Sequence, residues 1–585
     1  MTIEAYPNDA RTRPHASVTV DPSALGATTS GSDKGIVVFG SAEGGVPGAL
    51  YRLTSFPQAR AAFKGGELLD WIEAAWNPSN QEAGAGTIYA MRVDSAKQAE
   101  LAVGNLVIKS AQYGANANQV NVRMDAGSIA NSLKFTAIDA ITGTSEVYDN
   151  LGPIFNIQYT GKGTAASAKV ADGKFVVTVD GVDILNISLD NKLVSTADKL
   201  VDQINLQGDL VATMVPYGDK SIDSTLLDEA EYKDIKSTEA TFLSVLGDLV
   251  LQTSASSNLV AVTKANANDV TLVPTVTANT LTLTEQLGEE TNKAIEPFGL
   301  TPLSGGSNGT VPNSWSKFFT SFANDDAADA YYAVAVTPSQ AIHGELSQFV
   351  SEMSASGYPL RAFVGGSLGE SLQKTFTRRS ILNNSRVGLV GFDAKVAMGD
   401  GRTVVFPAYM ATAFVAGIAS GLPVSEPVTF KHPRILELTR QMTSDQLDQL
   451  DANGVITVER VRGANSASFR IVSDRSTKSS SSDAVSTSMS LGETTDFLAN
   501  GLREFLDDRF IGTRTTSSTA VDIKTAVSLY LGTAQLNGTV VTYDPANIAV
   551  VVRGDHADIS FTATPSQGLR TIKVGIVYDN TAIEV

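Results

Sequence analysis

The sequence predicts an α/β protein, a mixed α+β core that carries a β-rich surface insertion. Three observations lead there. Short apolar runs such as Gly35-Ile-Val-Val-Phe-Gly40 alternate with amphipathic stretches over residues 31–125 and again over 306–564, the rhythm of buried strands covered by helices. From 126 to 305 aromatics thin out, and Thr, Val, Ala, Asn and Asp dominate in short alternating runs, the texture of strands and turns. With 585 residues, 43% of them hydrophobic, the chain has enough apolar surface to bury a large core.

Taken in chain order, residues 1–30 form an arm rich in Pro, Ser and Thr. Its alternating piece at 15–20 reads as a strand with no local partner. Helices are predicted over 56–63 and 67–76 and a strand over 87–93. In the insertion, 270–283 alternates like a strand and 193–206 is helical, and Gly305-Gly-Ser-Asn-Gly309 marks the return to the core. Strands follow at 331–336, 360–364 and 386–390, with helices at 339–356 and 370–382 between them. Residues 404–424 are uncharged over the length of a membrane span, but Pro407 opens a helix and Gly421 with Pro423 closes it. The remaining helix is about 20 Å long against a hydrocarbon core of ~30 Å, so it reads as a buried core helix.

Beyond it come a helix at 444–452 ended by Asn453-Gly454, a strand at 455–461 and a Ser-rich loop at 476–490. An amphipathic helix over 495–510 sets Leu498, Leu502, Phe505, Leu506 and Phe510 on one face. A helix at 518–531 precedes a hairpin over 548–563 that turns at Arg553-Gly-Asp-His556. A last alternating strand covers 571–578, inside a C-terminal arm at 565–585.

Composition points away from chemistry. The chain has no cysteine and four histidines, which leaves no thiolate and little for acid–base work, so no cofactor or metal is expected. With 44 basic and 62 acidic residues, the net charge of −18 argues against nucleic acid, whose phosphates need a basic patch. The first residues lack the basic and apolar regions of a signal peptide. Gly365-Gly-Ser367-Leu-Gly369 matches a nucleophile elbow, and Asp400 with His432 would complete a serine hydrolase in the required order. A glycine-rich strand-to-helix turn gives the same string, and nothing local marks the partners. Residues 448–459 have the length of a calcium loop, but Gly454 falls one place late and reads as a helix cap. Arg553-Gly554-Asp555 is an adhesive tripeptide and also good turn chemistry; with the Thr/Val-rich insertion it frames an alternative, a secreted adhesin or surface-layer protein.

Several stretches taken together are more specific. Thr12-Arg-Pro-His-Ala-Ser17 is followed by Phe39-Gly-Ser-Ala-Glu-Gly-Gly45, Gln112-Tyr-Gly-Ala-Asn-Ala-Asn-Gln-Val120 and Ile295-Glu-Pro-Phe-Gly-Leu300. Pro407-Ala-Tyr-Met410, Phe469-Arg-Ile-Val-Ser-Asp474 and Glu504-Phe-Leu-Asp-Asp-Arg-Phe-Ile-Gly-Thr513 complete the set. The chain resembles the tail sheath proteins of contractile-tailed bacteriophages, in particular the large ones of the Twort-like group infecting Gram-positive hosts. The resemblance spans essentially the whole chain and is weakest over 160–290.

The resemblance implies a structural virion subunit, assembled in the host cytoplasm, that stacks in six-fold rings around a tail tube. It would also meet a baseplate and a tail terminator, without inserting into a membrane. It further implies that a C-terminal sheet is completed by neighbours' arms. The donors would be Ala16, Ser17, Val18, Thr19 and Val20 in one arm and Ile572, Val574, Ile576 and Tyr578 in the other. The accepting hairpin would present Ile548, Val550, Val552, Ile559 and Phe561, with joints at 26–35 and 565–568. Asp507, Asp508 and Lys524 are the candidate tube contacts.

Overall fold

The computed structural model describes residues 3–4, 19–20, 34–265, 270–277, 280–287, 294–325, 329–461, 468–478, 483–516 and 518–568. The chain divides into two compact units. One comprises residues 1–42, 47–94 and 311–585, the other 43–46 and 95–310.

The first unit is built on a seven-stranded sheet in the order Val455–Ile456, Val387–Val390, Arg361–Gly365, Tyr332–Ala335, Ile36–Gly40, Ile88–Arg92, Leu50–Leu53. Every neighbouring pair is parallel except the last, so Leu50–Leu53 closes one edge in the antiparallel sense. The apolar runs are continuous because both faces are covered. Ile36, Val38, Ile88, Ala90, Tyr332 and Val334 face a core shared with helices Phe56–Phe63, Glu67–Trp76 and Ala408–Gly421. Val37, Phe39, Tyr89, Met91, Ala333 and Ala335 face the opposite core, built with helices Ser316–Ala323, Gln340–Ala355, Leu372–Leu382 and Ser444–Ala452.

The uncharged stretch at 404–424 contains helix Ala408–Gly421, buried from Ala408 to Ser420. A Cβ on its Gly417 would lie 2.4 Å from the Ala75 carbonyl oxygen, and Trp71 Nε1 donates to Thr412 Oγ1 at 2.9 Å, so small residues let the two helices touch. Among the described residues no helix is long and apolar enough to cross a membrane.

The second unit holds two cores. Strands Gln98–Val103, Leu106–Tyr113 and Val260–Lys264 share a five-stranded sheet with the hairpin Val270–Thr277 and Thr280–Leu287. That sheet and a four-stranded one built around Val120–Ala126 and Leu133–Asp139 enclose one core with helix Val245–Ser256. The second core lies between sheets centred on Pro153–Tyr159 and on Lys174–Val179 with Ala166–Ala171, under helix Ala197–Asn205.

The structure differs from the sequence reading at several boundaries. The change of texture at 126 is not where the unit begins: residues 98–126 alternate like core strands but pair within the second unit. The run 455–461 breaks into two strands, Val455–Ile456 in the large sheet and Val458–Arg460 paired with Phe469–Ile471. The serine-rich stretch becomes partly helical, because Asp483 caps Ala484–Thr487 and Ser488 caps Met489–Phe510, each accepting from a backbone N–H of its helix.

Candidate assembly interface

Helix Met489–Phe510 has two halves with different surroundings. Its first turns lie against the N-terminal edge of the parallel sheet, where they meet a set of buried charges. Lys34, just before strand Ile36–Gly40, is fully buried and places Nζ 2.6 Å from Glu493 Oε1. Tyr332 Oη donates to Glu493 Oε2 at 2.8 Å. Arg386 spans Asp496 with two bonds of 2.9 Å, while Arg361 Nε and Tyr331 Oη donate to Asp496 Oδ2 at 2.9 and 2.8 Å. These residues sit at the starts of four adjacent strands, so one helix turn ties the sheet edge together.

Burial pushes both tyrosines well above their usual pKa, helped by Asp496 at Tyr331 and by Glu493 at Tyr332. Burial also raises Glu493, with Lys34 opposing. At Asp496 burial is outweighed by Arg361 and Arg386, and the carboxyl stays below its ordinary value. The sequence reading missed this network because charged residues read as surface, and its members come from distant parts of the chain. The signal was there: Lys34, Tyr331, Arg361 and Arg386 each stand directly before or at the start of a short apolar run.

The second half carries the predicted apolar face. Leu502 and Leu506 are buried with Ile523, Val527 and Leu531 of helix Thr519–Leu536, and Leu498, Phe505 and Phe510 pack around them. Two small sheets complete this region. One pairs Val540–Tyr543 with Ala563–Pro565; the other is the hairpin Ala549–Arg553 and His556–Ser560. Val550, Val552, Ile559 and Phe561 lean on the helical core with the buried Ile548, whereas Ala549, Val551, Asp558 and Ser560 face solvent. A turn at Gly554 and Asp555 makes Arg553 and His556 the closing bonded pair. Alternation then aims the N–H and C=O groups of Val550, Val552, Ala557 and Ile559 at the outer edges of the hairpin, where no named strand among the described residues pairs with them. A two-stranded ribbon is marginal by itself and offers a template for further strands.

Of the proposed strand donors, only Thr19 and Val20 lie within the described residues. They pair with Glu4 and Ile3 of the same chain, so the expectation of a strand without a local partner does not hold: closing this short loop is cheap and satisfies backbone groups. Ala16, Ser17, Val18, Ile572, Val574, Ile576 and Tyr578 fall outside the described residues. Of the expected joints, Lys34, Gly35, Pro565 and Ser566 are buried, Gln567 is exposed and Gly568 half-buried, while 26–33 lie outside the described residues. Asp507 is half-buried and Asp508 exposed near the end of the long helix, and Lys524 is half-buried in helix Thr519–Leu536.

The hydrolase elements do not come together. Ser367 Oγ lies 3.5 Å from Glu370 Oε2, Asp400 pairs with Arg402, and His432 Nδ1 is 2.9 Å from the Phe469 carbonyl. The Arg553-Gly554-Asp555 turn is exposed, and Arg553 pairs across the hairpin with Asp558 at 2.5 Å. Gly454, with φ 71°, ends helix Ser444–Ala452.

Residues 314–477 match the family described as phage tail sheath protein central domain. The tail sheath protein of Staphylococcus phage Twort is 37% identical over 100% of both chains. The putative tail sheath protein of Enterococcus phage phiEF24C is 36% identical over 99% of both. In fold, the chain is similar to the crystal structure of the sheath tail protein from Desulfitobacterium hafniense. That comparison covers 91% of this chain and 94% of the other, with a TM-score of 0.55 at 14% identity.

Proposed function

The chain belongs to the phage tail sheath protein family, and from that premise we propose that its copies stack in six-fold rings around a tail tube and that shortening of the stack drives the tube through the bacterial envelope. It is a structural component of a contractile phage tail and not an enzyme, as its relatives are.

The observation that carries the assembly reading is the pair of small sheets with open edges, held on a helix whose base is locked into the sheet edge. In this reading the accepting hairpin is Ile548, Val550, Val552, Ile559 and Phe561, and the donors are Ala16 to Val20 of one neighbour and Ile572, Val574, Ile576 and Tyr578 of another. Added strands bind through backbone hydrogen bonds, which suit a repeated contact between identical copies. When each copy donates to one neighbour and accepts from a different one, the contact is heterologous and propagates as a ring or filament. The tube side is assigned to helix Thr519–Leu536, which exposes Val521, Leu529 and Leu536, together with Lys524, Asp507 and Asp508. Baseplate and terminator contacts at the stack ends, and assembly in the host cytoplasm, complete the proposal.

The test is electron microscopy of the purified protein and of a variant lacking residues 1–22. The full chain is expected to form striated hollow tubes or rings, and the truncated chain to stay a folded monomer. Long sheaths from the truncated protein would sink the strand-donation account.

A further inference from the structure

The described residues that border the two arms are held by buried contacts, and the two contacts converge. On the N-terminal side the ammonium of Lys34 is held by Glu493, and the Lys34 carbonyl accepts from Ser420 Oγ in the last turn of helix Ala408–Gly421. On the C-terminal side Ser566 is fully buried. A Cβ on Gly568 would stand 2.4 Å from Pro427 Cγ, so the backbone there passes directly against the proline ring. Pro427 belongs to the loop of Ser425, a buried residue with φ 75° whose Oγ accepts from Thr494 Oγ1 at 2.6 Å. A left-handed backbone at a serine is held only where its surroundings enforce it. Glu493 and Thr494 are consecutive, so the roots of the two arms reach the same turn of helix Met489–Phe510.

We propose that this turn is a mechanical junction: load on the arm before Lys34 and load on the segment after Gly568 both enter the subunit at Glu493 and Thr494, and tension crosses from one arm to the other through the helix. The inference rests on the reading of the arms as links between subunits. Without the junction, a pull on the N-terminal arm would act directly on Ile36–Gly40, an interior strand of the seven-stranded sheet. With it, the buried ammonium must first leave its carboxylate and cross apolar surroundings, a step that is strongly resisted. The joints that flank the core are thus fixed at their inner ends.

The chain has no cysteine, so Arg13→Cys and Asn580→Cys give unique handles for pulling a single full-length molecule by its two arms. The comparison is with Lys34→Met/Tyr332→Phe/Glu493→Leu, since an apolar set of similar volume is tolerated in place of a buried ion pair and Tyr332→Phe removes the hydroxyl that Glu493 accepts from. The triple variant is expected to keep its thermal midpoint within a few degrees while its lifetime under constant load falls about tenfold or more. An unchanged lifetime overturns the junction. If the triple variant does not fold, Glu493→Gln replaces it, and its unfolding rate without load is measured beside its lifetime under load. A lifetime that falls by more than the unloaded unfolding rate rises supports the junction, and an equal change overturns it. Failure of the unaltered protein to form tubes is a separate result, which sinks the inter-subunit reading and leaves the pulling result standing.

Discussion

Gly492 and Arg361 are in such close contact that a Cβ on the glycine would lie 2.1 Å from Arg361 Nη2. The guanidinium cannot step aside, because Arg361 is bonded to Asp496, Tyr331 and the Ser385 carbonyl. A glycine inside a helix normally weakens it, and here the lost side chain is what allows the ion pair. Gly492→Ala is therefore expected to lower stability by about 2–4 kcal/mol, measured by denaturant unfolding. Gly344→Ala is the control: it lies in helix Gln340–Ala355 with open space around its Cβ position, and should stabilise by up to about 1 kcal/mol. Equal effects of the two changes would remove the packing argument.

Asp496 gives the protein an acid limb. Its carboxyl is held below the ordinary value of 3.8 by Arg361 and Arg386 in spite of burial. The stabilisation it contributes is present above that ordinary value and is lost as pH falls through the lower folded value. Asp496→Asn should cost about 3–5 kcal/mol at pH 7 by leaving two guanidinium groups facing a neutral amide. It should also flatten the loss of stability below pH 4. An acid limb of wild-type steepness in the variant would contradict the assignment.

Asp228 in the second unit acts in the opposite sense. Burial raises its carboxyl to about 7, with the Val245 N–H and Lys233 opposing. Stability from this group is fully present below the ordinary value of 3.8 and is lost as pH rises through about 7. The thermal transition of this unit is expected to fall between pH 5.5 and 8 in the full chain, and Asp228→Asn should abolish that slope. Differential scanning calorimetry over the window decides it; a slope that persists in the variant places its origin elsewhere.

The hairpin edge can be blocked without touching its packing. Ala557 is exposed, and its N–H points away from Val552 toward the outer edge. Ala557→Pro removes that donor and nothing from the hairpin's own ladder. The variant is expected to unfold within about 1 kcal/mol of the unaltered protein. It should also fail to form tubes under the electron microscope. Normal tubes would free this edge from any role in joining subunits.

What the sequence revealed followed from local rules. Helices Phe56–Phe63 and Glu67–Trp76 were legible to the residue because an apolar stripe, Pro57 and flanking glycines mark them. The face of Leu502 and Leu506 was legible from its spacing. Helix Val245–Ser256 was not, since Val245, Leu246 and Leu249 look like one more strand in a Thr- and Val-rich region, and its end reads Thr-Ser-Ala-Ser. The start of Met489–Phe510 was hidden because Ser488 and Ser490 suggest a loop, although Ser488 is the helix cap. The hairpin was legible; the burial of Lys34 against Glu493 was not, because no local pattern links residues that meet only after the sheet has formed.

The place of Ile36–Gly40 in the sheet also sets a schedule. One of its neighbours, Ile88–Arg92, is made soon after it, but the other, Tyr332–Ala335, follows the whole of the second unit. At roughly 5–20 residues per second, about 300 residues occupy a ribosome for some 15–60 s. During that time residues 95–310 can complete their own strand pairings, while Ile36–Gly40 waits half-paired. The helices and open hairpin that would receive a neighbour in the proposed exchange are translated near the end, ahead only of the C-terminal arm. In the proposed strand exchange, a chain still on the ribosome therefore carries an N-terminal donor arm and no finished acceptor, so it can receive no neighbour until its synthesis is nearly complete.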